Sequence, residues 1–322
     1  MGGFINTAVF VFSGFLESGK TTAIQNILFK KTNDEKVVII CAEKGEINYD
    51  EERLFKNNVV VVYVDEESKL DYEFLYDIKD DYNPDTVYVE FNGLWDLKKF
   101  TEGSLPDDWY VAEVFAVADG SVYESYLKTM RSTVMKPFTL ADVIMFNRCG
   151  DCFPKEVVRS SIKILNGNAE VFFTRTDGSI DNSFKDYEIQ DLNGLIDIEE
   201  NMFCQWFVDC MEHTDKYLEK RVRFKAMVKA VDGLRDNQFY FGRYVVICSF
   251  EYTKFIGFIT EMEEDCLFEG FENELIKLDD GDFALVEGKI KAGEVDGNKR
   301  IILLKADKIK KLLKPKEKFL FF

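Results

Sequence analysis

The sequence predicts an α/β protein in which a parallel sheet carries helices on both faces, followed by a smaller, mostly β domain. Short apolar runs alternate with amphipathic helical segments over residues 8–173, and this alternation is typical of a parallel sheet covered on both faces. After Val222 the pattern changes to short strand-like runs separated by turns. We therefore predict domains at residues 1–195 and 222–322, joined by a helical segment over residues 196–221.

The composition is that of a globular protein with reduced thiols. The chain has 322 residues, 46% of them hydrophobic, with 30 Phe and 14 Tyr, which is enough for two hydrophobic cores. No apolar run has the length needed to span a bilayer, so we do not expect an integral membrane protein. Seven cysteines, an odd number, occur without an export signal, and this combination predicts a cytoplasmic location.

The charge and the histidine content exclude several function classes. The net charge is −18, from 59 acidic and 41 basic residues. A nucleic-acid backbone would meet like charge over most of such a surface, so nucleic acid is not an expected partner. His213 is the single histidine, which argues against a Ser/His/Asp hydrolase and a histidine-built metal site.

The segment Gly14–Thr22 carries the strongest motif in the chain. It fits G-x-x-x-x-G-K-S/T at each fixed position and lies between an apolar run at 8–12 and a helical segment at 22–29. A strand, a glycine-bracketed loop and a helix N-terminus together form a cradle for phosphate groups. Lys20 is expected to bind the β- and γ-phosphates, and Thr21 to ligate Mg²⁺. The predicted nucleotide-binding residues of this segment are Gly14, Glu17, Ser18, Gly19, Lys20, Thr21 and Thr22.

An acidic turn follows the second apolar run. Glu43 and Glu46 bracket Gly45 directly after residues 36–41, at the strand end where open α/β sheets bind ligands. We expect Glu43, Glu46 or Asp50 to reach Mg²⁺ or its waters. A solvated acidic turn without function explains the composition equally well.

A second acid follows a later strand. Glu90 ends an apolar run that starts near residue 85, and Gly93 comes three residues later. P-loop enzymes need an acid opposite the phosphate loop to hold Mg²⁺ or to orient the attacking water. A glycine at this place lets a backbone amide approach the γ-phosphate. We therefore predict Lys20, Glu90 and Gly93 as catalytic residues and Glu90 as a metal ligand beside Thr21, Glu43 and Glu46.

The apolar run at 141–146 leads into Asn147, Arg148 and Asp151. An asparagine followed by a carboxylate after a late strand is how many GTPases bind guanine. The carboxylate accepts hydrogen bonds that adenine cannot donate, so discrimination between the two bases is strong. We expect these three residues to bind the base.

These segments, in this order, resemble the CobW-like family of P-loop GTPases over residues 8–175. Gly14–Thr22 is similar to its phosphate loop, Glu43–Glu46 to its E-x-G-E segment, and Val89–Asp96 to its E-T-T/S-G-L-A-D segment. The resemblance implies a SIMIBI-class GTPase fold and GTP with Mg²⁺. In many members it also implies delivery of a metal, often zinc or cobalt, to a metalloprotein client.

The chain departs from that family in three places. No cysteine lies between Cys41 and Cys149, so the family's C-x-C-C metal-binding motif is missing. Gly150 stands where the base-binding motif has Asp, and Asp151 comes one residue later. Glu17 replaces a loop glycine and adds a negative charge beside the phosphates. The resemblance therefore supports nucleotide binding more strongly than metal delivery.

Cys149 and Cys152 form a C-x-x-C pair on the predicted base loop. Such a pair can serve redox or metal chemistry. One hypothesis is a two-thiolate metal site completed by Cys41 or by a partner.

The C-terminal part predicts a small barrel, with an OB-like barrel as one form. Its strand-like runs are residues 222–231, 238–249, 254–262, 283–292 and 300–306. Asp296-Gly297-Asn298 predicts a hairpin turn. The tail over residues 305–318 has seven Lys against two acidic residues and is interpreted as a solvated terminal helix.

Gln238–Gly257 together with Phe283–Pro315 resembles the soluble C-terminal domain of a permease-associated protein family. That resemblance implies a permease-associated protein as a partner.

Taken together, the sequence predicts a Mg²⁺-dependent GTPase that acts as a switch or chaperone in metal or cofactor handling. The alternatives are a nucleotide-binding interaction protein with little hydrolysis and a P-loop kinase of a small molecule.

Overall fold

The chain forms two units in the computed structural model. The first unit comprises residues 1–155 and 166–183, and the second comprises residues 156–165 and 184–322. The domain limits inferred from the sequence, at residues 195 and 221, stay predictions. The structure describes residues 6–30, 34–181, 183, 194–247, 249–270, 278–295 and 299–321.

The first unit is built on a parallel sheet with the strand order β3-β2-β4-β1-β5-β6-β7. Neighbouring strands pair in parallel throughout this order. This arrangement confirms the predicted α/β fold. The strands are β1 (Thr7–Gly14), β2 (Val37–Cys41), β3 (Val59–Tyr63), β4 (Thr86–Asn92), β5 (Trp109–Asp119), β6 (Val143–Cys149) and β7 (Glu170–Arg175).

Helices connect these strands and cover the sheet. All residues of β2 are buried, as expected for a strand with both of its faces covered. Short 3₁₀ turns occur at Glu67–Lys69 and Lys136–Thr139. The helices are α1 (Lys20–Leu28), α2 (Glu51–Phe55), α3 (Tyr72–Tyr82), α4 (Leu97–Gly103), α5 (Tyr123–Met135) and α6 (Lys155–Leu165), the last of which groups with the second unit from residue 156 onward.

The central position of β1 determines where a site can form. It lies between β4 and β5, and its residue Phe12 is in register with Glu90 of β4. Asp119 at the end of β5 is in register with Asn147 of β6. Because all of these strands run in parallel, their carboxyl ends meet at one edge of the sheet.

Apolar packing fixes α1 against this sheet. Phe12, Ile24 and Ile39 are fully buried in one cluster, and the Phe12 ring stacks on Phe115 with centroids 4.4 Å apart. Burying side chains of this size stabilises the fold by about 1.5–3 kcal/mol each. The loop between β1 and α1 is therefore held at both ends.

The second unit contains a closed five-stranded barrel. The ring runs β9-β10-β11-β13-β12 and closes through pairing of β9 with β10. The β11–β13 pair is parallel, and the other pairs of the ring are antiparallel. This topology confirms the predicted mostly β domain and its OB-like form. Its strands are β8 (Leu195–Ile198), β9 (Arg221–Lys229), β10 (Gln238–Val246), β11 (Thr253–Glu269), β12 (Phe283–Val295), β13 (Lys299–Leu312) and β14 (Phe319–Phe321).

The lysine-rich tail is not a terminal helix, so that prediction is wrong, and residues 313–318 form neither helix nor strand. Residues 305–312 belong to β13 and pair with β12. A register shift beside Asp307 brings both Ala306 and Ile309 into the barrel core. The bulge thus produces an apolar spacing of three residues, which in the sequence looks like one face of a helix.

The helical segment predicted for residues 196–221 lies within the second unit and differs in detail. It is divided into α7 (Phe203–Glu212) and α8 (Thr214–Tyr217), with His213 in a non-helical conformation between them. A 3₁₀ turn at Glu200–Met202 precedes it, and another at Phe250–Tyr252 precedes β11. The sequence does not predict β8 and β14, which are short. The predicted turn Asp296-Gly297-Asn298 lies outside the described residues, although the β12–β13 hairpin that it should connect is present.

No helix in the described part of the chain is both long and apolar enough to cross a membrane.

Candidate functional site

The loop between β1 and α1 owes its shape to glycines. Gly19 has a left-handed backbone with φ of 98°, and a Cβ there would lie 2.5 Å from Asn147 Nδ2. At Gly14 a Cβ would collide with the carbonyl oxygen of Val117. A side chain at either position would displace the loop, so the packing requires the glycine spacing of the motif.

The first turn of α1 differs from that of the neighbouring helices. Side chains of Asp50, Asp71 and Asp96 cap α2, α3 and α4. No side chain caps α1, and its first turn has no acidic residue. The amides of this turn and the helix dipole therefore favour an anion at this end of the helix. Thr22 lies in this turn.

Lys20 places a buried positive charge beneath the loop. Its Nζ donates to the carbonyl oxygens of Gly14 and Phe15, both at 2.9 Å. It also forms an ion pair with Glu43 Oε2 at 2.6 Å. The ammonium is thus paired as buried charges must be, and the Glu43 carboxylate occupies the kind of position that a phosphate oxygen would take.

Glu90 lies beside this pair and is also buried. Its Oε1 accepts a hydrogen bond from Thr21 Oγ1 at 2.8 Å, and its Oε2 accepts one from the Tyr49 hydroxyl at 2.5 Å. Burial raises the pKa of Glu90, while the Tyr49 hydrogen bond and the Lys20 charge oppose this rise. Two carboxylates and a hydroxyl are thus gathered at one place, and such oxygen ligands, together with substrate phosphates, suit Mg²⁺.

Glu17 connects the phosphate loop to the acidic turn. It has a left-handed backbone with φ of 61°, and its Oε1 accepts a hydrogen bond from the Glu46 amide at 2.6 Å. Glu46 therefore contributes its backbone here, while its side chain is exposed. The cavity between Thr22, Ile47 and the loop measures about 20 Å³, which holds about one water.

The predicted base loop is bonded to the phosphate loop. Asn147 Nδ2 donates to the Ser18 carbonyl at 2.5 Å. Arg148 donates to the Glu17 carbonyl at 3.0 Å and to the Asp119 carboxylate. Asn147 Oδ1 and Ser18 Oγ are buried without a hydrogen-bond partner among the described residues. Buried polar atoms of this kind fit a ligand that supplies the missing partner.

Asp151 is not part of these contacts. It is exposed in the turn after β6. Arg148 is bonded to the phosphate loop, but Asp151 is not held there. Its role in binding the base stays a prediction.

Gly93 lies close to the phosphate loop. Its amide donates to the Gly14 carbonyl at 3.1 Å, and a Cβ at Gly93 would lie 2.7 Å from Gly14 backbone atoms. A glycine is therefore required because two backbones meet here. In this structure the Gly93 amide binds the loop itself, and its approach to a γ-phosphate stays a prediction.

Two residues of the site are not among those predicted from the sequence. Tyr49 and Asp119 are the direct partners of Glu90 and Arg148. Asp119 could have been found, because it is a carboxylate at the end of a strand next to β1.

Burial, followed by the nearby Glu90 charge, raises the pKa of Cys41 to about 12. Both effects favour the protonated form of the Cys41 thiol beside the acids.

The C-x-x-C pair is divided between two environments. Cys149 is buried and Cys152 is exposed, and burial raises the pKa of Cys149 to about 11. Within the ranges that the structure describes, no three His, Cys, Asp or Glu side chains are grouped to hold a metal ion. The hypothesis of a thiolate metal site here gains no support from the geometry.

Comparison with protein-family models gives two matches that together span most of the chain. The model of the CobW/HypB/UreG nucleotide-binding domain matches residues 8–173. The model of the DUF1980 C-terminal domain matches residues 177–322. No curated protein matches the chain.

Solved structures with a related fold are distant from this chain. The Zn(II)-bound YjiA GTPase from E. coli is 18% identical, with a TM-score of 0.41 over 73% of this chain and 85% of that one. The hydrogenase maturation factor HypB from Archaeoglobus fulgidus is 17% identical, with a TM-score of 0.38 over 55% and 85%. HypB from Helicobacter pylori in complex with nickel is 18% identical, with a TM-score of 0.36 over 54% and 80%.

Proposed function

Because the chain belongs to the CobW/HypB/UreG family of nucleotide-binding domains, a family of P-loop GTPases, we propose that it binds GTP with Mg²⁺ and hydrolyses it. One observation carries this proposal. A buried Lys20 lies at the start of an uncapped helix and is paired with Glu43, while Thr21 and Glu90 are hydrogen-bonded beside it. This arrangement offers a cation for phosphate and oxygen ligands for Mg²⁺ at one place.

Phosphate binding exchanges the partners of the charged residues. The γ-phosphate replaces Glu43 at Lys20, and the contact between Glu17 and the Glu46 amide opens. Glu43 and Glu90, with the Thr21 hydroxyl, are then available to hold Mg²⁺. When bound, Mg²⁺ neutralises charge on the β- and γ-phosphates. Because Glu43 pairs with Lys20 in this structure, nucleotide and Mg²⁺ binding are expected to favour each other.

Hydrolysis then requires an oriented water. Glu90 and the Gly93 amide are the groups that we propose to orient it, because both lie at the end of β4 next to the loop. The remaining catalysis is positioning and charge stabilisation, as in other phosphoryl transfers.

We assign guanine binding to Asn147, Arg148 and Asp151. The first two residues are already held against the phosphate loop, and the unpartnered Asn147 Oδ1 is suited to a donor on the base. Asp151 would complete recognition by accepting from the guanine edge.

A role as a switch or chaperone in metal or cofactor handling is the part of the proposal that rests on the family alone. Its partners would be a metalloprotein client or a permease-associated protein, and its cargo zinc or cobalt. Zinc titration of the full chain tests this part. Binding that disappears in a Cys149→Ser, Cys152→Ser double variant supports a thiolate site, and the absence of binding removes it from the proposal.

A second function is favoured by one observation. Both oxygens of Glu90 already accept hydrogen bonds, from Thr21 and Tyr49, which leaves this acid poorly placed to activate water. A nucleotide-binding protein with little hydrolysis would need no such activation.

Phosphate release from γ-labelled GTP separates the two functions. We expect Mg²⁺-dependent release of inorganic phosphate that is lost in Glu90→Gln while GTP still binds. Binding without release would favour the second function, and transfer of the label to an added acceptor would indicate a kinase.

A further inference from the structure

We propose that Tyr49 is a positioning residue that holds the Glu90 carboxylate toward Thr21 and thereby tightens Mg²⁺ binding at the phosphate loop. This inference rests on the proposed function, because it concerns the same site. Tyr49 belongs to none of the motifs that identify the site, and its role follows from its contacts.

The Glu90 carboxylate is held at both of its oxygens. Tyr49 donates to Oε2 at 2.5 Å, and Thr21 donates to Oε1 at 2.8 Å. A carboxylate bonded at both ends cannot rotate freely about its terminal torsion. Hydrogen bonds from outer groups to metal-binding carboxylates orient them for the ion. Tyr49 thus fixes the orientation of the Glu90 carboxylate beside Thr21.

Tyr49 is itself held firmly enough to act in this way. Its ring is buried in the cluster that contains Phe12, Ile24 and Ile39. The next residue, Asp50, donates its amide to Gln25 Oε1 of α1 at 2.9 Å. Packing and a backbone hydrogen bond therefore fix the position of the hydroxyl, and such support is what a positioning residue requires.

Removing the hydroxyl would leave Oε2 poorly bonded. The remaining described donor near this oxygen is the Cys41 thiol, whose Sγ lies at 3.9 Å, and a thiol is a weak donor. A buried carboxylate oxygen without a hydrogen-bond donor is costly in free energy. This cost favours rotation of the whole carboxylate toward another donor. Glu90 would then no longer present a fixed oxygen beside Thr21.

The variant Tyr49→Phe tests this inference in the full chain. It keeps the ring and removes only the hydroxyl. Tyr63→Phe is the matched control, because the Tyr63 hydroxyl also donates to a carboxylate, Glu51, at 2.8 Å but is not bonded to Glu90. The two measurements are the affinity for fluorescent GTP in EDTA and the Mg²⁺ concentration that gives half of the Mg²⁺-induced change in that signal.

In Tyr49→Phe we expect GTP affinity in EDTA to stay within about twofold of wild type, while half-saturation by Mg²⁺ shifts upward about tenfold or more. Excess Mg²⁺ should restore the wild-type signal, which a merely structural defect would not allow. Tyr63→Phe should change neither quantity.

Two results would overturn the inference. One is an unchanged Mg²⁺ half-saturation in Tyr49→Phe, and the other is an equal loss of GTP affinity with and without Mg²⁺. If Tyr49→Phe does not fold, 3-fluorotyrosine at position 49 replaces it, and a ¹⁹F resonance that does not move on adding Mg²⁺ to the GTP-bound protein overturns the inference. Failure of wild type to bind GTP at all would instead refute the proposed function, and this inference with it.

Discussion

Among the described residues, each unit of the molecule buries one paired basic side chain, and the two pairs have different surroundings. The Lys20 and Arg243 side chains are 2% and 1% exposed. Lys20 pairs with Glu43 at 2.6 Å in the first unit, and Arg243 pairs with Glu200 at 3.1 Å in the second. Lys20 also binds carbonyls of a loop beside uncapped helix amides. Arg243 lies on a barrel strand, with its guanidinium 5.0 Å from the centre of the Phe283 ring.

The comparison shows that burial of a charge does not by itself distinguish a site from a core. Unpartnered polar atoms do not distinguish them either, because Arg243 Nε and Ser18 Oγ both lack partners among the described residues. The two pairs differ in whether a ligand can replace the acidic partner of the buried basic side chain. Glu43 belongs to a turn that a phosphate can displace from Lys20, whereas Arg243 is fixed by the barrel around it. We therefore expect a change of the acidic partner to lower stability in the Arg243 pair and to weaken ligand binding in the Lys20 pair.

Glu200→Gln should destabilise the protein by about 2 kcal/mol, because it removes the carboxylate that compensates a buried guanidinium. Chemical denaturation measures this loss, and the GTP affinity of the folded protein should not change. The exposed neighbour Glu199 supplies the control, since Glu199→Gln should stay within about 0.5 kcal/mol of wild type. Equal stability of the two variants would remove the structural role that we assign to the Arg243 pair.

Glu43→Gln should weaken Mg²⁺ binding in the presence of GTP about tenfold, which corresponds to about 1.4 kcal/mol. Stability should change less than in Glu200→Gln, because Lys20 keeps its two carbonyl partners. Mg²⁺ titration with fluorescent GTP measures the effect. Glu46→Gln is the control with an exposed side chain, and a larger effect there than in Glu43→Gln would reverse the assignment.

Glu17→Gln should tighten GTP binding up to about fivefold, or about 1 kcal/mol. The change removes a negative charge next to the phosphates and keeps an oxygen that can accept from the Glu46 amide. Equilibrium titration with fluorescent GTP measures it, with the exposed Glu52→Gln as the control. Weaker binding in Glu17→Gln would mean that the carboxylate assists the nucleotide.

The smallest effect concerns the thiols. Burial raises the pKa of Cys149 to about 11 and the pKa values of Cys41, Cys204 and Cys210 to about 12. These thiols therefore stay protonated at pH 8 and become reactive only as the pH rises toward those values, because the thiolate is the nucleophile. Exposed Cys152 should be alkylated before these four buried thiols at pH 8, as mass spectrometry of peptides can show. Equal rates at Cys149 and Cys152 would contradict the environments described here.

Much of the first unit could be predicted from the sequence, because its strands are short apolar runs and its phosphate loop is a contiguous motif. The contacts of Glu90 could not. Tyr49 donates its hydrogen bond to Glu90 from a position 41 residues away in the chain. No local sequence pattern around a tyrosine predicts such a long-range hydrogen bond.

For the second unit, the sequence predicts the mostly β fold class but not the extent of each strand. Turn-separated β-branched runs indicate a barrel, yet the bulge beside Asp307 changes the alternation of β13 and makes a strand look helical. The strand β14 has three residues and pairs with the distant β10. Short strands that depend on long-range pairing leave little trace in local sequence.

The central claim is that Lys20 at the start of α1 binds the phosphates of GTP. Equilibrium binding of fluorescent GTP and ATP, each with and without Mg²⁺, to wild type and Lys20→Ala tests it most directly. We predict that wild type binds GTP more tightly than ATP, that Mg²⁺ strengthens binding, and that Lys20→Ala loses it. Undiminished binding in a folded Lys20→Ala variant would contradict the claim, and equal affinity for GTP and ATP would contradict the assignment of guanine.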